Sequence, residues 1–84
     1  MVNVQQMRAA RALLGWSQED LATRAGLGRR AVADIERQVG RPEGPHGRTL
    51  ERIDAAFQEA GITFVNEDGV IGVLLASDTG AEAG

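Results

Sequence analysis

The sequence contains no cysteine, and its single histidine is His46. The absence of cysteine excludes disulfides and thiolate metal sites, and one histidine cannot build a metal site alone. No run of apolar residues is long enough to span a bilayer, and the N-terminus lacks the pattern of a secretory signal peptide. We therefore expect a cytoplasmic protein with no metal, no cofactor and no membrane contact.

Residues that usually carry catalysis are also missing. The chain has no cysteine nucleophile and no glycine-rich loop that would hold a phosphate, and His46 lies in a predicted loop without an evident partner. The sequence therefore favours a binding function over an enzymatic one.

The charge of the chain is unevenly distributed along its 84 residues. Residues 1–48 hold eight arginines and five carboxylates, a net charge of +3, whereas residues 49–84 hold one arginine and seven carboxylates, a net charge of −6. This pattern suggests one surface that faces phosphate and another that faces a different partner, although a short chain can also segregate charge by chance. A chain of this length forms one domain with a small core, which favours self-association.

Residues 17–37 have the pattern of two short helices joined by a tight turn. Gly26 stands where the first helix must end in a left-handed backbone, and Ala22 is small enough for the second helix to cross closely over it. An ordinary helical hairpin would not need these two residues together with the exposed pair Arg29 and Arg30. The pattern therefore predicts a helix-turn-helix. Its apolar positions are Leu21, Ala25, Leu27, Val32 and Ile35.

The sequence predicts one helix before this motif and gives bounds for the two helices within it. The first predicted helix runs from Asn3, which with Gln6 forms a capping box, to Leu14. Trp16 is predicted to fill the core between the first and second helices. Ser17 caps the second helix, which ends near residue 25, and the third runs from about residue 29 to 37. The apolar positions of the first helix are Val4, Met7, Ala10, Leu13 and Leu14.

The second half of the chain predicts one more helix and a β-hairpin. Residues 38–47 contain both prolines and form a loop, and a fourth helix runs from residue 48 or 49 to Ala60. The strands are residues 62–65 and 70–75, with a turn at residues 66–69. Residues 76–84 should be disordered. The predicted fold is mainly α.

The residues of the motif resemble the phage-repressor-like, Cro-type helix-turn-helix family, also called the xenobiotic-response-element family. The matching positions are Arg11, residues 15–22, Gly26, Val32 and residues 35–37. The resemblance covers roughly residues 4–60 and implies a four-helix repressor-like DNA-binding domain over residues 1–61. In that family the second helix crosses the DNA backbone and the third enters the major groove.

The resemblance also implies a role for individual residues. Arg29, Arg30 and Asp34 would read bases, and Asp34 would either accept a hydrogen bond from cytosine N4 or orient Arg30. Phosphate contacts are implied for Gln18, Arg37 and Arg41, and a buried ion pair is implied for Arg11 and Glu36. The chain departs from the family pattern at Gly28, where a serine or threonine cap is usual, at Gln38, where glycine is usual, and in having a hairpin in place of a fifth helix.

The hairpin, residues 62–75, is predicted to be a dimerisation element, because its second strand is apolar on both faces and an isolated hairpin cannot cover both. Two functions follow from this reading. The first is a homodimeric transcriptional regulator on an inverted-repeat operator. The alternative is an antitoxin-like module that masks a toxin and regulates its own operon. The residues proposed for dimerisation are Ile62, Phe64, Val70, Ile71, Val73 and Leu75.

Overall fold

The computed structural model describes residues 3–38 and 47–76, and over these ranges it shows four helices followed by a two-stranded antiparallel hairpin. The elements are α1 (Val4–Leu14), α2 (Gln18–Ala25), α3 (Arg29–Glu36), α4 (Gly47–Glu59), β1 (Ile62–Glu67) and β2 (Val70–Leu75). The predicted mainly α fold is confirmed. Arg41 and His46, together with the tail from residue 77, lie outside the described residues.

The first two helices begin and end where the sequence predicts. Ser17 Oγ accepts from the Asp20 N–H at 3.0 Å, and Asp20 Oδ2 accepts from the Ser17 N–H at 2.9 Å, which completes the capping box of α2. Gly15 and Gly26 end α1 and α2 with φ of 71° each, a left-handed conformation that favours glycine. The turn of the helix-turn-helix is therefore set by Gly26.

One core runs through the four helices and the start of the hairpin. Most of the predicted apolar positions are buried, but Leu13 lies at the edge of the apolar stripe of α1 and is 49% exposed. The largest fully buried side chains are Met7, Leu21, Ile35, Ile53 and Phe57. The small Ala22 and Ala25 on α2 are also buried, as the close crossing of the two motif helices requires.

Trp16 is half-buried against the core, as predicted, and its ring also packs on α4. Its ring stacks on Phe57 with centroids 5.7 Å apart, and the Arg24 guanidinium lies 5.0 Å from the indole centroid. Phe64 meets the same Phe57 ring edge-on at 5.7 Å. The aromatic residues thus join the motif, α4 and the hairpin, a contact that residue spacing along the chain does not reveal.

The hairpin turn contains two residues, and the predicted turn over residues 66–69 is too long. Asp68 and Gly69 have φ of 52° and 76°, the two positive values that a type I′ turn requires. β1 therefore continues to Glu67, which pairs with Val70, and the register runs from there to Ile62 opposite Leu75.

Gln6 attaches the hairpin to α1. Its side chain is buried, and its Nε2 donates to the Val65 and Gly72 carbonyls at 3.0 Å each, while its Oε1 accepts from the Asn3 N–H at 2.9 Å. A buried amide with its hydrogen bonds satisfied fixes the relative position of the groups that it joins. The hairpin is therefore held at one orientation over α1.

Candidate nucleic-acid interface

The helix α3 has one buried side and one exposed side. Val32, Ile35 and Glu36 are buried, and Arg29, Arg30, Asp34 and Arg37 are exposed on or directly after the helix. We call these four exposed residues the recognition surface. The structure therefore brings all three predicted base-reading residues onto one accessible surface of a rigidly packed helix.

The start of α3 lacks a side-chain cap. Gly28 occupies the N-cap position with φ −79° and ψ 153°, and as a glycine it has no side chain that could accept from the first N–H groups of the helix. Such N–H groups and the helix dipole favour an anion at this end. The arrangement suits a DNA phosphate near Arg29 and Arg30.

Asp34 pairs with Arg37, three residues later on the exposed side of α3. In the free protein the carboxylate thus meets the guanidinium on the following turn, and orientation of Arg30 by Asp34 on DNA stays a prediction. Exposed pairs of this kind stabilise a protein by less than about 1 kcal/mol. The weak pair leaves both side chains able to exchange their contact for one with DNA.

Arg11 and Glu36 form an ion pair that braces α1 against the end of α3. Arg11 Nε donates to Glu36 Oε2 at 2.9 Å and Arg11 Nη2 donates to Glu36 Oε1 at 2.7 Å. Arg11 Nη1 also donates to the Trp16 carbonyl at 3.1 Å. The two parallel bonds of a guanidinium to a carboxylate fix direction as well as distance. The structure thus brings together the two residues for which an ion pair was predicted.

Gln18 joins the same buried carboxylate. Its Nε2 donates to Glu36 Oε1 at 3.1 Å, so the side chain bridges the first turn of α2 and the last turn of α3. A phosphate contact by Gln18 stays a prediction. Two features favour it: Gln18 lies at the start of α2, and its amide has a second N–H that could donate to a phosphate.

Two arginines that stabilise the motif were missed by sequence reasoning. Arg8 donates to the backbone carbonyl of Glu36 at the end of α3. Arg52 Nη1 on α4 donates to the Gly26 carbonyl at 3.1 Å, where α2 ends. Both satisfy carbonyls at helix C-termini, which have no partner within the helix. Their separation of 28 and 26 residues from these carbonyls leaves no local signal in the sequence.

The residues predicted for dimerisation fall into two groups. Ile62 is only 3% exposed and belongs to the core, and Phe64 and Val73 are half-buried against it. In contrast, Val70, Ile71 and Leu75 are 60%, 50% and 38% exposed. Leu74, which was not among the predicted residues, is also 60% exposed. The accessible apolar surface of the hairpin therefore lies on β2.

Among residues 3–38 and 47–76, the structure shows no group of histidine, aspartate and glutamate side chains that could hold a metal ion. In the same ranges no helix has both the length and the apolar composition needed to cross a membrane.

Comparison with protein families agrees with this geometry. A helix-turn-helix family model matches residues 7–60, which is more than half of the chain. A comparison with curated proteins finds no match. The matched range contains the two motif helices, the Arg11–Glu36 brace and the recognition surface. The chain therefore belongs to the Cro-type helix-turn-helix family and is a DNA-binding transcriptional regulator.

Proposed function

We propose that the protein binds an inverted-repeat operator as a homodimer, with α3 of each subunit in the major groove. The observation that carries this proposal is the exposure of Arg29 and Arg30 at the start of a helix whose opposite side is buried. The planar guanidinium matches O6 and N7 of guanine, and each such bidentate contact discriminates by roughly 1–3 kcal/mol. We therefore expect guanine in each half-site, and cytosine opposite Asp34.

The phosphate contacts of this complex come from both sides of α3. Gln18 lies at the start of α2, and Arg37 follows α3 directly. Arg41 is assigned the same role from the sequence. Because phosphate contacts position the protein without reading bases, these residues set the register of α3 along the groove.

The proposed homodimer uses the hairpin, through Val70, Ile71, Val73 and Leu75. Two-fold symmetry would place the recognition surfaces about one turn of DNA apart, roughly 34 Å, which matches an inverted repeat. We also propose the cytoplasm as its location, because the chain belongs to a DNA-binding family.

A second candidate function is an antitoxin-like module that masks a toxin and represses its own operon. The observation that favours it is the exposed apolar surface on β2, which does not belong to the recognition surface. Both functions can use a homodimer, so co-purification with a second, co-expressed protein decides between them. Purification of the chain alone supports the first function, whereas a stable complex with the co-expressed protein supports the second.

Selection of random duplex DNA by the purified full chain tests the proposed DNA site. We expect an inverted repeat with guanine in each half-site. Binding should weaken with salt, and log K should fall against log salt with a slope of about −0.9 for each phosphate contacted. Failure to select any duplex at low salt, or an affinity that does not respond to salt, would contradict the proposal.

A further inference from the structure

The strand β2 concentrates apolar side chains that no other described residue of the chain covers. Among the described residues, four of the five large exposed hydrophobic side chains are on this strand. β2 contains no charged residue, so a second copy can approach it without like-charge repulsion. So many exposed apolar side chains on one short strand mark an interaction surface.

One edge of the β2 backbone also has no hydrogen-bonding partner within residues 3–38 and 47–76. Because the turn has two residues, Glu67 and Val70 form a hydrogen-bonded pair, and hydrogen-bonded and non-hydrogen-bonded pairs alternate along the ladder from there. The Ala76 N–H donates to the Gly61 carbonyl at 2.8 Å, as this alternation requires at the far end. The N–H and C=O groups of the intervening residues of β2 therefore point away from β1. These residues are Ile71, Val73 and Leu75.

We infer that two subunits pair through this edge, with strand order β1–β2–β2–β1 across a two-fold axis at Val73. The inference rests on the proposed homodimer and specifies which edge and register it uses. An antiparallel register centred on Val73 pairs the outward N–H and C=O groups of all three residues with those of the partner.

The same register sets the apolar side chains on one face of β2 opposite apolar side chains of the partner. Ile71 lies opposite the partner's Leu75, and Val73 lies opposite the partner's Val73. On the other face Leu74 lies opposite the partner's Gly72. The backbone of Gly72 does not need glycine, since its φ is not positive and a β-carbon there would meet only Val65, at 4.0 Å. In the inferred dimer Leu74 of the other subunit packs over Gly72, which explains why a residue without a side chain occupies this position.

The edge of β1 is less suited to a second copy. It borders an open groove of about 910 Å³ whose lining includes Glu51 and Asp54 of α4. Pairing two β1 edges across a two-fold axis would bring these carboxylates, and Glu67 at the end of the strand, toward their counterparts in the partner. Like charges that face each other across an interface weaken it. The pairing edge is therefore that of β2.

Spin labels on single cysteines measure the strand order in the full chain. The sequence has no cysteine, so each introduced residue carries the only label. Leu74→Cys and Thr63→Cys form a matched pair, because these exposed residues are opposite each other on the two strands. Neighbouring strands are about 4.8 Å apart, and both positions are displaced by the same distance along the strand from Val73. The two labels at position 63 should therefore be roughly 8 Å farther from each other than those at position 74.

The label experiment has outcomes that separate this inference from the proposed function. A dimer in which the labels at position 63 are the closer pair would overturn the β2 pairing and leave the homodimer intact. A dimer in which both pairs are equally distant would also overturn it. A monomer by light scattering at micromolar concentration would contradict the homodimer itself.

Proline substitution gives a second test. Ile71→Pro and Asn66→Pro are matched, because these exposed residues pair with each other and both direct their N–H away from the hairpin. Ile71→Pro should raise the dimer dissociation constant roughly thirtyfold, since one N–H of each subunit is lost at the interface. Asn66→Pro should raise it less than about threefold. Ile71→Thr keeps the N–H, so an effect as large as that of Ile71→Pro would overturn the backbone pairing.

Discussion

Among the described residues, Glu36 accepts more of the motif's side-chain hydrogen bonds than any other. Its carboxylate accepts two bonds from Arg11 and one from Gln18, and its backbone carbonyl accepts one from Arg8. The side chain is buried, and a buried charge without these donors would carry a large desolvation cost. One acidic residue thus connects α1, α2 and the end of α3, and so holds the recognition surface in place.

Removal of either member of the ion pair should destabilise the protein strongly. We expect Arg11→Ala and Glu36→Ala each to lower the free energy of unfolding by about 3 kcal/mol, because each leaves an uncompensated charge in a buried site. The free energy of unfolding of the double variant should fall by less than the sum of the two single decreases. Urea denaturation measures this coupling. The exposed pair Arg37 and Asp34 is the control, with an expected coupling below about 1 kcal/mol, and additivity in the Arg11–Glu36 cycle would show that this pair does not interact.

The arginines of the recognition surface should differ in their effect on sequence preference. Arg30→Ala should weaken the free energy of binding to the preferred operator by about 1–3 kcal/mol. It should also relax the base preference at one base pair of each half-site. Arg37→Ala should weaken binding to all sequences about equally and reduce the magnitude of the salt slope by about 0.9 for each lost phosphate contact. Affinity measured over a panel of single-base operator variants separates these effects. An unchanged base preference in Arg30→Ala would remove Arg30 from the base-reading residues.

At the level of single elements, α3 and the hairpin are held by different means. The helix α3 starts without a side-chain cap and takes its position from its buried face and the Glu36 contacts. The hairpin takes its position from the start of β1 in the core and from the Gln6 amide. A two-stranded hairpin has little stability alone, so its orientation depends on these attachments.

A serine at the start of α3 should stabilise the protein. Gly28 has an extended backbone that any residue adopts, and a β-carbon there meets nothing within 4 Å. Gly28→Ser adds a side-chain cap and reduces the conformational entropy of the unfolded chain. The free energy of unfolding should therefore rise by about 0.5–1 kcal/mol. Gly26→Ser is the control and should destabilise by about 1–2 kcal/mol, because φ of Gly26 is +71°. Thermal unfolding measures both; a lower midpoint for Gly28→Ser would contradict the cap argument.

Gln6→Leu should loosen the hairpin before it affects the motif. The variant removes the donor to two strand carbonyls and the acceptor of the Asn3 N–H, which we expect to cost about 1–3 kcal/mol. Hydrogen exchange should rise in β1 and β2 more than in α2 and α3. Gln5→Leu, at the exposed neighbouring position, is the control. Equal exchange in the hairpin of both variants would show that Gln6 does not hold it.

At the level of the whole molecule, the proposed DNA recognition and the proposed self-association use different surfaces. The recognition surface lies on the side of the motif that carries the exposed arginines, whereas the apolar residues of β2 belong to the acidic half of the chain. A rigid attachment of the hairpin to α1 would transmit the dimer geometry to the spacing of the two α3 helices. The proposed dimer should therefore be sensitive to the separation of its half-sites.

Operator spacing tests this expectation. Insertion of five base pairs between the selected half-sites rotates one of them by about half a turn of DNA, so a rigid dimer cannot engage both. Affinity should fall by roughly a hundredfold, to that of a single half-site, because the gain from simultaneous binding is lost. Fluorescence anisotropy measures the affinity for three duplexes: the parent operator, the operator with the five-base-pair insertion, and a single half-site. Unchanged affinity for the inserted duplex would argue against a rigid dimer.

The sequence by itself determined the elements of this protein and the turn of its motif. Helical spacing of apolar residues, the Ser17 cap and Gly26 predict α2 and the turn after it, because each is a local property of the backbone and its nearest neighbours. The exposed arginines of α3 follow from the same spacing. The Arg11–Glu36 contact came from resemblance to a family, since nothing local links two residues that far apart.

Tertiary packing alone decided the hydrogen-bond partners of several polar residues. It also decided which apolar residues of the hairpin are buried and which are exposed to solvent. Gln6 bonds carbonyls 59 and 66 residues away, and Arg52 reaches the Gly26 carbonyl from another helix. Both strands of the hairpin are apolar in sequence, yet only the packed structure buries Ile62 and leaves Leu74 exposed. Such contacts join segments distant in the chain, so their geometry exists only once the helices have packed, and no local pattern encodes it.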